Sequence, residues 1–268
     1  MKSIVAWMVL KDDAYYLPMA LESVLPYVEG IYIQDQGSTD GSIEIVKEYQ
    51  TQGYNIIMET EDTGFERFNP TYNEPVYRSI AIERAEQTFK PKYLLQLDAD
   101  EIYTPHFFDK VDVLGKPLEQ GSINALKVAT DRFVSKNHRV QSAHALHVVK
   151  GEKYYDPHTR FWSTRIKVRY VQNPAMKGFL HCTLNSEPSP VYWVHGICHV
   201  HLHRTFGPKS FDFWAEGGDE FERKTPFNAR EMAPKWFADD INFGTAEHVD
   251  FDWPDYVLKK WEAWGIWE

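Results

Sequence analysis

The sequence predicts an α/β protein with a mostly parallel central sheet, flanking helices and an elaborated C-terminal half. Three observations carry this. Strand-like and helix-like stretches alternate four times in the first hundred residues. The strand-like stretches are continuous apolar runs, the pattern of strands buried on both faces. Acidic residues follow three of those strands directly.

Ile4 to Leu10 contains no turn residue and reads as the first buried strand. Leu17, Ala20, Leu21 and Val24 then recur at i, i+3, i+4, i+7, a helical stripe that Pro26 and Gly30 close. Gly30 to Asp35 is a second strand ending in an acid. Gly37 and Gly41 bracket a turn, and Ser42 is placed to cap a helix carrying Ile43, Val46 and Tyr49. Asn55 to Met58 makes a third strand. Asn73 to Phe89 is helical, with Val76, Ile80, Ala81 and Ala85 expected inward. Lys92 to Leu97 is a fourth strand that runs straight into Asp98. Right-handed crossovers between such strands put ligands outside their carboxyl ends. Asp12, Asp13, Asp35, Asp98 and Asp100 all fall there.

Beyond Tyr103 the texture changes. Ile123 to Ala129 reads as a strand, Arg132 to Lys153 as a polar surface segment, and Arg160 to Val171 and Val191 to His203 as alternating sheet strands. No repeat or linker divides the chain, so its 268 residues form a single expected domain. A formal net charge of −10 opposes docking on nucleic acid or anionic lipid. Two cysteines, Cys182 and Cys198, are too few for a disulfide scaffold. The N-terminal apolar run is too short for a signal peptide or a membrane span, so a soluble, cytoplasmic protein with no transmembrane segment is the expectation.

The chemistry concentrates in YLLQLDADE, Tyr93 to Glu101. In extended backbone, side chains at i and i+2 share a face, so Asp98 and Asp100 can reach one ion. Oxygen ligands suit a hard cation, Mg²⁺ or Mn²⁺, which seldom receives a full protein cage and so also takes phosphate oxygens. In DQGSTDGS, Asp35 to Ser42, the glycines permit positive φ, and Ser38 and Asp40 can brace the turn from within. Asp35, at the strand end, is the residue expected to face a ligand. In HGICHVHLHR, a strand would place His195, His199, His201 and His203 on one face and Cys198, Val200 and Leu202 on the other.

Together these motifs resemble the family-2 glycosyltransferases of the GT-A type, in the nucleotide-diphospho-sugar transferase superfamily. The resemblance rests on Asp35, Gly37, Ser38, Asp40, Gly41 and Ser42 in the early turn and on Leu97 to Glu101 in the metal motif. The acidic exit of the first strand adds Asp12-Asp13 where the family often has Asn-Glu. Arg78, Ser79 and Ala81 stand where the family often has Arg-Asn-x-Ala. It covers roughly the first 105 residues. It implies a metal-dependent transfer of a sugar from a nucleotide diphosphate donor, most often UDP-linked, to a hydroxyl acceptor with inversion. Residues 1–105 would then be the nucleotide-sugar half, and residues 106–268 the acceptor-side half with an aromatic tail.

The resemblance implies that Asp13 and Asp35 lie along the donor, with Asp35 on the base. Arg78 would sit near the donor, and Asp98 and Asp100 would hold the diphosphate through Mn²⁺ or Mg²⁺. His199 and His201 are nominated to complete the metal shell. Gly178 and His181 match a Gly-x-x-His-Glu of some relatives, but Cys182 replaces the Glu, so the catalytic base stays open among Asp212, Glu216, Asp219 and His181. The acceptor is expected to be a glycan, a lipid-linked group or another hydroxyl. The competing readings are the same chemistry on a modified nucleic-acid base, a His/Asp metal-dependent hydrolase, and a sugar-nucleotide or glycan-binding protein without turnover. The first would need a basic groove drawn from Lys136, His138, Arg139, Lys150, Lys153, Arg165, Lys167 and Arg169. The oligomeric state is open.

Overall fold

Residues 3–62, 74–135, 138–140, 146–155, 157–172, 182–186, 188–202 and 246–263 are described by the computed structural model. The first half follows the alternation closely. Strand β1 (Ile4–Leu10) leads to helix α1 (Leu17–Val24), β2 (Gly30–Asp35), α2 (Ser42–Thr51), β3 (Ile56–Thr60), α3 (Glu74–Phe89) and β4 (Tyr93–Gln96). Strand β5 (Glu101–Tyr103), α4 (Pro105–Val113), α5 (Gly115–Gln120) and β6 (Ala125–Val128) follow.

The expected polar segment is instead four short strands: β7 (Arg132–Ser135), β8 (His138–Val140), β9 (Leu146–Val149) and β10 (Glu152–Tyr155). Strands β9 and β10 pair as a hairpin. After β11 (His158–Ser163) come β12 (Tyr170–Gln172), β13 (Cys182–Leu184), β14 (Val191–Val194), β15 (His199–His201), β16 (Ala246–His248) and helix α6 (Asp255–Ala263).

Seven strands form the central sheet in the order β14-β6-β11-β4-β1-β2-β3. Strand β11 alone runs against the others. The register sets Trp7 beside both Gln96 and Tyr32, and Leu10 beside Asp35. The carboxyl ends of β1, β2 and β4 therefore share one rim, and the acids gather along it as expected.

One face of the sheet buries Met8, Ile33, Leu95 and Phe161 with Leu17, Leu21 and Phe107 of α1 and α4. The other buries Trp7, Tyr32, Leu94 and Trp162 under Ala81, Ile82 and Ala85 of α3. Helix α3 is turned slightly relative to expectation: Ala81 and Ala85 are buried as expected, but Val76 is exposed, and Ile82 is buried in its place. Its inward stripe is Arg78, Ala81, Ile82, Ala85 and Phe89, again at helical spacing. That rotation carries a guanidinium, and not Val76, to the sheet rim.

A third cluster lies beyond the rim, where Tyr16, Ile102, Phe133, Val200 and Leu202 pack with Trp253 and Val257. Trp253, from the aromatic tail, is buried in this cluster. Among the described residues no helix is long and apolar enough to cross a membrane.

Candidate active site

Two loops line one part of the rim and fasten each other. Gly37 and Gly41 take φ values of 83° and 98°, which L side chains rarely adopt. The turn they allow places Ser38, Asp40 and Ser42 against residues 11–14. Asp12 N–H donates to Ser38 Oγ (2.9 Å), Asp13 N–H to Ser42 Oγ (3.0 Å) and Ala14 N–H to Asp40 Oδ2 (2.9 Å). In return Thr39 N–H donates to Asp12 Oδ1 (2.7 Å), and Lys11 Nζ to the Gly37 carbonyl (2.6 Å). Within the turn, Asp40 Oδ1 accepts from the Ser42 amide (3.1 Å) and hydroxyl (2.6 Å), the bracing the sequence suggested for Asp40, while Ser38 Oγ serves the neighbouring loop. Gly41, and not Ser42, is the N-cap of α2. Asp35 is fully buried, and its carboxylate accepts from the amides of Gly37 (3.1 Å) and Ser38 (3.3 Å). It shapes the loop from inside, where an outward, ligand-facing carboxylate was expected.

At the end of β4 the structure brings together residues far apart in sequence. Asp98 Oδ1 accepts from Arg78 Nη1 at 2.8 Å, and Asp98 Oδ2 from Arg160 Nη1 at 3.1 Å. Arg78 is also tied to Glu74 through Nε (2.6 Å). Arg160 reaches Glu101 Oε1 through Nη2 (2.6 Å), so its planar fork bridges two carboxylates. Gln96 Nε2 donates to Asp98 Oδ2 at 3.2 Å, while the Tyr170 hydroxyl donates to Gln96 Oε1 and the Tyr103 hydroxyl to the Gln96 carbonyl (2.6 Å). The Arg78 guanidinium lies 5.5 Å from the centre of the Tyr170 ring.

Asp100 leaves this clamp. It turns toward β15, which pairs antiparallel with β5 and sets His199 opposite Tyr103 and His201 opposite Glu101. The Leu202 amide donates to the Asp100 carbonyl at 2.7 Å, and His201 Nε2 stands 3.0 Å from Asp100 Oδ2. His199 is fully buried, with Nε2 3.0 Å from Glu101 Oε2. Of the two histidines, His201 is the one beside a rim carboxylate.

The strand expected from His195 onward is shorter than predicted. Residues 195–198 turn, because Gly196 takes φ 90°, and β15 begins only at His199. His195 bonds instead to the Tyr154 hydroxyl (2.9 Å), and Cys198 is a buried thiol that burial pushes up to about 12. Asp13 stands on the rim, with its carbonyl accepting from the amides of Tyr16 (3.1 Å) and Leu17 (3.0 Å). His181, His203, Asp212, Glu216 and Asp219 lie outside the described residues. Of the basic residues considered for a nucleic-acid groove, Arg165 donates to the Glu119 carbonyl (2.8 Å) and Lys167 pairs with Glu86 (2.8 Å). Both follow β11, so they lie at the rim opposite Asp98.

Burial would raise the carboxyls of Asp98 and Glu101. For Asp98 the two guanidinium groups overcome it and hold the carboxyl below its usual value; for Glu101, Arg160 and His199 hold it well below. Burial lowers His199 despite the pull of Glu101, so its imidazole is neutral in the folded protein. All three shifts are downward, so each contributes stability that is present above the group's unfolded pKa and lost on acidification. For His199 the loss starts near pH 6.5, and for the carboxyls near pH 4, roughly their unfolded values. The melting temperature is therefore expected to decline below about pH 6.5 and to fall steeply below about pH 4. Melting curves from pH 8 to 3, for the parent and His199→Gln, check this. A melting temperature that rises on acidification from pH 7 to 5 would contradict it, as would a variant with the parent's profile.

Sequence reasoning passed over Arg160 and gave Glu101 no role. The signal for both was an arginine directly before Phe161 and Trp162 in HTRFWS, since a guanidinium buried beside such rings requires a carboxylate partner.

No protein-family model matches the sequence, and no curated protein matches it. Among solved structures, the chain is similar to S. aureus TarS 1–349 over 89% of its own length and 78% of that chain, at 12% identity and a TM-score of 0.47. It is also similar to the mannosyltransferase PcManGT from Pyrobaculum calidifontis, in complex with GDP-Man and Mn²⁺, at 15% identity and a TM-score of 0.36. That match covers 47% of this chain and 35% of the mannosyltransferase, so the chain spans about a third of that protein's length.

Proposed function

We propose that the protein is a metal-dependent glycosyltransferase that moves a sugar from a nucleotide diphosphate, UDP-linked in the first instance, to an acceptor hydroxyl with inversion. The observation that carries this reading is the tip of β4. There one carboxylate is clamped by two arginines and the next is turned toward a histidine, all at the ligand-binding rim of a mostly parallel sheet.

The residues fit a divalent metal on Asp100 and His201. Their facing atoms are 3.0 Å apart. Two neighbouring ligands of an octahedral ion with bonds of about 2.1 Å have about this separation. One imidazole beside a carboxylate favours Mn²⁺ over Mg²⁺. Among the described residues no group of three or more His, Cys, Asp or Glu side chains is arranged to hold a metal. Diphosphate oxygens complete the proposed shell, as is usual for such ions. When bound, the metal supplies Lewis-acid stabilisation of the charge that develops on the leaving diphosphate.

The chain's own residues do the rest. Arg78 and Arg160 keep Asp98 ionised, and Arg78, the more accessible of the two, is the cation assigned to the diphosphate in this reading. Asp13 and the loop that Asp35 shapes flank the base. The proton of the attacking hydroxyl goes to a base from the set Asp212, Glu216, Asp219 and His181, with glycan, lipid-linked or other hydroxyl acceptors all compatible. A cytoplasmic setting belongs to the same proposal.

A thermal-shift panel of nucleoside diphosphates, with and without Mn²⁺, tests the reading. UDP with Mn²⁺ is expected to raise the melting temperature above the gain from either component. No metal-dependent gain with any nucleotide would remove its basis.

A further inference from the structure

The Tyr16 hydroxyl has nothing to bond among the described residues. The residue is 1% exposed, packed in the cluster formed with Ile102, Val200, Leu202 and Trp253, and its hydroxyl is buried without a hydrogen-bond partner among the described residues. A buried phenol of this kind forfeits the water it had in the unfolded chain and gains no acceptor in return. Phenylalanine would fill the same apolar cluster without that loss. The hydroxyl therefore calls for an acceptor that arrives from outside.

Its position says where the acceptor would come from. Tyr16 precedes α1 and follows Asp13, whose carbonyl accepts the Tyr16 amide at 3.1 Å. Ile102 and Leu202, in its cluster, are each two residues from Asp100 or next to His201. Burial, with Asp100, Tyr15 and Asp13 nearby, raises the phenol far above its ordinary value, so it stays protonated. Asp100 faces His201, and Asp12 faces Thr39. A hydroxyl donor beside these acids can receive an oxygen acceptor that comes to the rim with a cation to offset their charge.

We propose that Tyr16 is a donor-binding residue whose hydroxyl donates to a diphosphate oxygen of the nucleotide held beside Asp100. This deepens the transferase reading and rests on it. Nothing covalent is required of the phenol.

Tyr16→Phe removes only the oxygen, and titration calorimetry on the full chain with UDP and Mn²⁺, alongside melting of the ligand-free protein, reads the consequence. UDP affinity is expected to fall about ten-fold or more, as for loss of a hydrogen bond to a charged acceptor, while the ligand-free melting temperature stays the same or rises. Binding of uridine, which lacks phosphates, should not change between parent and variant. Equal UDP affinity in parent and variant would overturn the role of Tyr16 alone. So would a lower ligand-free melting temperature with unchanged affinity, which is the signature of a structural hydroxyl. A parent that binds neither UDP nor GDP, ADP or CDP with Mn²⁺ would overturn the transferase reading and this inference together.

Discussion

Asp100→Ala is expected to abolish Mn²⁺-dependent stabilisation by UDP while leaving the fold in place. The Asp100 and His201 side chains are 24% and 19% exposed, so their pair is half-buried and closer to solvent than the Arg160 clamp. Fully exposed pairs are typically worth up to about 1 kcal/mol and fully buried ones about 3–5 kcal/mol, so a loss between these, of several degrees in the ligand-free melting temperature, is expected. Removal of one electrostatic stabiliser of a developing charge typically costs roughly 10²–10³ in turnover, and the same loss is expected in sugar transfer. Thermal shift with UDP and Mn²⁺, followed by a transfer assay once a donor is found, reads both. An Asp100→Ala protein that keeps the full metal-dependent shift would remove Asp100 from the site.

Arg160→Met should act in the opposite way, on stability first. Arg160 and Glu101 are nearly inaccessible, with side chains 8% and 1% exposed, and Arg160 also supports Asp98. Without the guanidinium, Glu101 is left as a buried carboxylate facing His199 and the Asp98 amide, with no full positive charge beside it. Breaking one partner out of a buried pair typically costs about 3–5 kcal/mol, on the order of 10 °C in melting temperature for a chain of this size. Adding Glu101→Gln should recover part of the loss, because the stranded charge is then gone. Denaturant melts of the single and double variants measure both effects. A single variant as stable as the parent would show that the clamp contributes nothing to folding.

The N-terminal half was legible because its signals are local. Continuous apolar runs mark β1, β2 and β4, and a regular stripe marks α1. Acids at strand ends mark the rim, since parallel strands point their carboxyl ends one way. On α3, Ala81 and Ala85 face inward as expected, but Val76 does not, because the buried stripe runs through Ile82 and brings Arg78 to Asp98. The second half resisted for a different reason. Its strands are three to six residues long and are fixed by partners far away in sequence, as β15 is by β5 and β11 by β4. No period survives in segments that short. The same distance hid Arg160, whose acids lie about sixty residues earlier. Asp35 was placed correctly at the end of β2, but its role depends on two backbone amides that only the folded turn turns toward it.

The mutual fastening of residues 11–14 and 37–42 has an energetic consequence for any ligand that lands there. Immobilising a free backbone residue takes roughly 1–2 kcal/mol of entropy, which a floppy rim would subtract from affinity at the moment of association. Here that toll is met during folding, so the contacts a guest makes translate more fully into tightness of capture.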